Sequence, residues 1–310
     1  MPSSRKRRLP LVCEADATGR TLEIYREIKS ALGVPHVNLI FQAYGAHPEF
    51  IDLMWKLLRP AVETRDFFVK ADRLGAEAYT RMHNYFSIPD LCTHIRQIQF
   101  TTGAQDELTG VVDLFHYNNP LLLLIAALQL QAFEDGPSRP WSAETGADHP
   151  VFLERPIKVT EEAAPAPIRR VYEEMKRTLG ISYINTDYQA FARWPDFLNV
   201  YWSALKPALT SPLYVESKHA LRESALTLAS ELPNGPQIPA EHAEEFKVNG
   251  EELNAAIHIT EEFLTVLSGL VLNVAFAKIA LEGGNQLKAC GKRDKMQDQT
   301  PVTNQSEYAA

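Results

Sequence analysis

Residues 24–64, IYREIKSALGVPHVNLIFQAYGAHPEFIDLMWKLLRPAVET, recur without a gap as residues 171–211, VYEEMKRTLGISYINTDYQAFARWPDFLNVYWSALKPALTS, at a shift of 147. Of the 41 aligned positions 14 are identical, among them Gly33/Gly180, Asn38/Asn185, Gln42/Gln189, Pro48/Pro195, Phe50/Phe197, Trp55/Trp202 and Pro60/Pro207. A weaker echo pairs LLLLIAALQLQAFEDG at 121–136 with GLVLNVAFAKIALEGG at 269–284, so each copy ends on a long apolar helix. The repeat is too long for a solenoid unit. It implies two homologous halves packed about a pseudo-twofold axis inside one chain.

The local signals are helical throughout. TLEIYREIKSAL and IRRVYEEMKRTL space their apolar residues for one helix face and stop at Gly33 and Gly180, where a glycine can take the left-handed conformation that ends a helix. HPEFIDLMWKLLRP and WPDFLNVYWSALKP start at Pro48 and Pro195, since a first-turn residue needs no N–H. Asn119 before Pro120 reads the same way, as a cap followed by the first residue of a new helix. Alternating strand patterns are scarce. The predicted fold is all-α, two helical halves forming an intramolecular pseudo-dimer. Its divisions are a basic arm at 1–9, a first repeat at 10–135, a linker at 136–168, a second repeat at 169–284 and a disordered tail at 285–310.

Composition narrows the partners. With 31 Lys+Arg against 39 Asp+Glu the net charge is −8, which argues against nucleic acid, and the RKRR run at Arg5–Arg8 reads as a solvated arm. Cys13, Cys92 and Cys290 are three, far apart and in no CxxC pair, so neither a disulfide framework nor a thiolate metal site is expected. His242, Glu244 and Glu245 read as a solvated acidic loop rather than metal ligands. The run LLLLIAAL at 121–128 falls short of the ~20 residues of a membrane span. Without a signal-peptide pattern as well, the expectation is a cytoplasmic protein with no membrane partner.

In a duplicated chain, identities between copies mostly report shared packing, whereas polar differences at matched positions report a division of labour. Two such differences adjoin: Leu39/Thr186 and Ile40/Asp187. Thr186-Asp187-Tyr188-Gln189 has the form of a capping box, placing Asp187 in the first turn of a helix. The sister residue Ile40 implies an apolar setting, where an acid is costly without a purpose. Asn119, whose counterpart falls near Val266 or Leu267, is the second candidate, and Asn118 would serve almost as well. The pairs Phe41 and Tyr44, and Tyr188 and Phe191, each lie three apart and could wall an apolar pocket between the halves.

These features, with the N-T-D-Y and R-W-P run of the second half and the Y-N-N-P element before the apolar helix, resemble the group I 2-haloacid dehalogenases, the DL-2-haloacid dehalogenase family. Those enzymes act on D- and L-2-haloalkanoic acids and are unrelated to the Rossmann-like haloacid dehalogenase superfamily. The resemblance spans most of residues 10–285. It implies one active site between the halves, often a further homodimer, no cofactor, and a small halogenated carboxylic acid as substrate. Asp187 would be the general base, holding a water with Asn119 for direct attack on C2 with inversion. Thr186 and backbone N–H groups at the helix start would bind the carboxylate; Phe41 and Tyr44, with Tyr188, would line the pocket. Here Phe41 and Tyr44 stand where the family has Trp and Phe, and Thr186 where it has Ser. Two other readings stay open: a non-catalytic small-acid-binding or scaffold protein on the same fold, and an enzyme in which Asp187 is itself the nucleophile.

Overall fold

The computed structural model describes residues 11–97, 101–132, 149–235 and 250–285, with backbone alone over 250–255. Among the described residues the halves run through matching helices, six in the first and five in the second. The first has α1 (Gly19–Leu32), α2 (Leu39–Tyr44), α3 (Pro48–Val62), α4 (Arg65–Tyr85), α5 (Leu91–Gln97) and α6 (Thr102–Ala132). The second has α7 (Ala166–Leu179), α8 (Thr186–Phe191), α9 (Pro195–Leu209), α10 (Pro212–Ser230) and α11 (Gly250–Leu281). Among the described residues there is no strand, only an isolated bridge between Ile88 and Asn285.

Several matched positions act as scaffolding. Gly33 and Gly180 end α1 and α7 in the left-handed region, at φ 65° and 71°. Trp55 donates its indole N–H to Glu27 at 2.9 Å and Trp202 to Glu174 at 3.2 Å, pinning α3 to α1 and α9 to α7. Thr64 and Ser211 cap α4 and α10 by accepting from Phe67 N–H and Leu213 N–H. Gly33 and Gly180 differ in surroundings. A Cβ on Gly33 would lie 2.3 Å from the Pro150 carbonyl oxygen, whereas one on Gly180 meets nothing within 4 Å. Gly180→Ala should therefore cost only the left-handed backbone penalty, about 1 kcal/mol, and Gly33→Ala clearly more. Urea unfolding of the two variants checks the order, and equal losses would contradict it.

The long helices α6 and α11 pack along one another at the centre. Each is also gripped by the opposite half: α10 and the short α8 lie on α6, while α4 and the short α2 lie on α11. Both central helices are long and apolar enough to cross a membrane by composition, but 78% of each apolar window is buried inside the protein. The run at 121–128, which by itself looked too short for a span, is thus one part of a 31-residue helix.

Four sequence expectations are corrected. Asn119 is not a cap: Asn118, Asn119 and Pro120 sit inside α6, which continues through the proline. Burial on every side holds the helix together there, and Gly75 on α4 makes room, since a Cβ would approach the proline ring to 3.3 Å. Thr186 is not a cap either; Asn185 precedes the helix and makes no side-chain capping bond, while Gln189 donates to the Ile184 carbonyl at 2.8 Å. The stretch 158–168, read as linker, belongs structurally to the second copy. Val159 N–H bonds the Gln189 carbonyl just as Val12 N–H bonds that of Gln42, both at 2.9 Å. Asn285, assigned to the tail, is fastened to Phe86 and Ile88. The arm at 1–9, linker residues 136–148, His242, Glu244, Glu245, Cys290 and the tail from 286 lie outside the described residues.

Candidate active site

A cavity of about 30 Å³ lies at the seam between the halves. Its twelve lining residues are six matched pairs: Asn38/Asn185, Leu39/Thr186 and Ile40/Asp187 at the shift of 147, then Phe115/Phe263, Asn119/Leu267 and Leu122/Leu270 at 148. Three pairs are identical and three are not. In the unlike pairs the polar members are Thr186 and Asp187 from the second half and Asn119 from the first. The crossed packing explains why they meet, because α8 of one half lies on α6 of the other. Their partners Leu39, Ile40 and Leu267 are all apolar.

Asp187 is 2% exposed. Its Oδ1 accepts the Tyr188 N–H at 2.9 Å, and its Oδ2 accepts Asn119 Nδ2 at 3.4 Å. Burial pushes its carboxyl up from 3.8 to about 7, against the opposing pull of the Tyr188 N–H, Asn119 and its own backbone. The helix start and the desolvating pocket act in opposite directions on this acid, and desolvation prevails. Among the described residues no other ionisable side chain lines the cavity. A buried carboxyl poised near neutrality is suited to taking a proton.

The two asparagines of α6 have separate tasks. Asn118 exchanges hydrogen bonds with Asn38, at 3.3 and 2.8 Å, and is used up in fixing the start of α2. Asn119 is left for Asp187. The position matching Asn118 is Val266, so Asn185 has no such amide partner, and its Oδ1 is buried without a hydrogen bond. Asn185 therefore joins the site as a polar group with spare capacity. Its identity with Asn38 marked it as scaffolding, and only the Asn118/Val266 mismatch betrays the difference.

Phe41, Tyr44 and Tyr188 are not among the cavity-lining residues. Phe41 packs edge-on against Trp55, and Tyr44 against Phe50 with its hydroxyl bonded to Gln129 and Thr260. The Tyr188 hydroxyl accepts from Asn273 Nδ2 at 2.8 Å. The first two residues of each short helix face the seam, whereas the aromatics turn into the core. The cavity's aromatics are instead Phe115 and Phe263, one turn before Asn119 and Leu267. Extending the apolar-helix echo back along the chain would have aligned them. The Tyr188 N–H, expected to be among those meeting a substrate carboxylate, is taken by Asp187.

Comparison with known proteins shows the family. Residues 35–188 and again 182–299 match the family described as Halocarboxylic acid dehydrogenase DehI. The chain belongs to this family. Among the proteins it is similar to, an (R)-2-haloacid dehalogenase of Pseudomonas putida is 29% identical over 262 residues, 83% of this chain and 87% of that protein. A configuration-inverting 2-haloacid dehalogenase of Alcaligenes xylosoxydans xylosoxydans is 24% identical over 239 residues, 74% of this chain and 79% of that one. The solved complex of a D-2-haloacid dehalogenase with L-LA superposes with a TM-score of 0.83 at 27% identity, covering 89% of this chain and 97% of that chain. The double match within one chain restates the duplication read from the sequence.

Proposed function

We propose that this protein hydrolyses 2-haloalkanoic acids to 2-hydroxy acids by direct attack of a water that Asp187 activates. The protein is a hydrolase acting on carbon–halide bonds. The observation that carries the mechanism is the seam cavity itself. A pocket built from six matched pairs holds one ionisable group, placed where its sister is isoleucine and faced by an amide from the other half.

Asp187 and Asn119 hold a water between them. As the water oxygen attacks C2, one of its protons passes to Asp187 and the carbon–halogen bond breaks, its electron pair leaving with the halide. Attack from the face opposite the halogen inverts the carbon, in keeping with the configuration-inverting relative. The Thr186 hydroxyl and the Asn185 Nδ2 donate to the substrate carboxylate, and the apolar side at Leu39, Ile40 and Leu267 takes the halogen. The site needs neither metal nor organic cofactor for these steps. The names of the relatives make the (R) enantiomers the first substrates to try. We further place the enzyme in the cytoplasm.

Direct attack and an ester intermediate differ in which oxygen reaches the product. A single turnover of (R)-2-chloropropanoate in heavy-oxygen water separates the routes. The label is expected in the 2-hydroxy acid; an unlabelled first-turnover product would establish Asp187 as the nucleophile. Binding of the acid with no halide released from either enantiomer would leave the scaffold reading.

A further inference from the structure

The seam cavity is large enough for water but far below the about 150 Å³ that admits a benzene-sized ligand. A haloacid must therefore enter by displacing part of its wall. A second cavity, of about 560 Å³, adjoins it, and Leu39 and Thr186 line both. These are the matched first residues of α2 and α8, so they form the partition between the two spaces.

We propose that the larger cavity is the entry vestibule for the haloalkanoate anion, and that Lys158 is the cation that draws the carboxylate toward the Leu39–Thr186 partition. The inference rests on the dehalogenase reading above. Lys158 matches Leu11 in the duplication, and both line the vestibule. The adjoining Val12 and Val159 make equivalent backbone bonds to Gln42 and Gln189, so the two residues stand at corresponding places on the rim. The broken symmetry of the inner site is thus repeated at its mouth.

The other charges leave Lys158 available. Lys176 and Glu161 cancel in a salt bridge at 2.7 Å, and Glu162 is exposed on the turn at 161–163. Glu14, whose charge Lys158 feels, is already bridged to Lys29 and Arg155. Among the described residues no carboxylate forms an ion pair with Lys158. Desolvation, then the neighbouring Arg155, push its ammonium down, and Glu14 only partly offsets them. A chain of net charge −8 repels a carboxylate at long range, so a local cation at the mouth matters most at low salt.

Steady-state kinetics on (R)-2-chloropropanoate test this. Lys158→Gln is expected to raise KM about fivefold at low salt with kcat nearly unchanged, a difference that fades near roughly 0.5 M salt; Lys158→Arg should behave as wild type. Calorimetric titration of 2-chloropropanoate into Asp187→Asn, with and without Lys158→Gln, should show the same weakening without turnover. A KM and Kd unmoved at low salt, or a loss indifferent to salt, would overturn the role of Lys158. A third arm tests the route. In a Cys92→Ser, Cys290→Ser background, a bulky maleimide on Cys13, which also lines the vestibule, should sharply lower kcat/KM, and full activity after complete labelling would overturn it. If the wild type releases no halide, the reading of the inner site fails, and the calorimetric arm decides the vestibule alone.

Discussion

Asp187→Asn should lose halide release by on the order of 10³-fold or more while becoming more stable than the wild type above pH 7. Both effects have one cause. Burial raises the folded carboxyl from 3.8 to about 7, whereas in the unfolded chain it titrates near the lower value. Between those two pH values the folded state binds the additional proton. The stabilising contribution is fully present below about pH 4 and is lost as the pH rises through about 7. Above that, an ionised carboxylate inside an apolar cavity costs on the order of a few kcal/mol. Asparagine keeps the shape and removes the charge, so its gain in melting temperature should be clear at pH 8 and vanish at pH 4. Activity runs the other way, because only the carboxylate can accept a proton: wild-type kcat/KM should climb with pH through about 7. Thermal unfolding at the two pH values and a halide-release profile test the pair of claims. Wild-type turnover in the variant would remove the general-base role.

Asn119→Leu is the second large effect, and it copies what the chain already carries at Leu267. Leucine keeps the number and branching of the side-chain heavy atoms and α6 is continuous there, so the fold should survive, as circular dichroism can verify. The variant loses the amide that donates to Asp187 Oδ2 and that would position the water. A fall in kcat of about 10²-fold is expected. Asn119 also lowers the Asp187 pKa, so its removal should move the rising limb of the pH profile to higher pH. A purely structural asparagine would leave that limb in place. Activity within a factor of a few of wild type, with an unmoved profile, would show that Asn119 does not act on the carboxylate.

Much of the candidate site was legible before any coordinates because duplication supplies an internal control. Ile40 opposite Asp187 exposed a polar group at a position its sister keeps apolar, and both line the seam cavity. Asn119 was singled out by its apolar counterpart near Val266 or Leu267, but its local reading as a helix cap was mistaken; it lies inside a 31-residue helix. The sequence rule failed there because tertiary packing on all sides of α6 outweighs the one backbone hydrogen bond that Pro120 forfeits. That Phe41 and Tyr44 fall outside the cavity lining was not legible for a related reason. Every residue of α2 after Leu39 is buried, so the pattern carries no polar face from which to judge which way the helix is turned. Asn185 was passed over because its difference from Asn38 lies in the neighbour, Val266 in place of Asn118, and not in itself.

The amino-acid sequence alone determined the helical class, the duplication and the places where α1, α3, α7 and α9 start or stop. These depend on local chemistry: a glycine free to adopt positive φ, a proline without an N–H, an apolar spacing. It also singled out Asp187, since comparing two copies of one segment needs no coordinates. Only the tertiary structure decided that α8 lies on the other half's α6, that Asn119 rather than Asn118 meets the acid, and that Leu39, Ile40 and Phe115 line the cavity while the α2 aromatics face inward. Those outcomes depend on the rotation and crossing of packed helices, which distant side chains settle together and no single segment encodes.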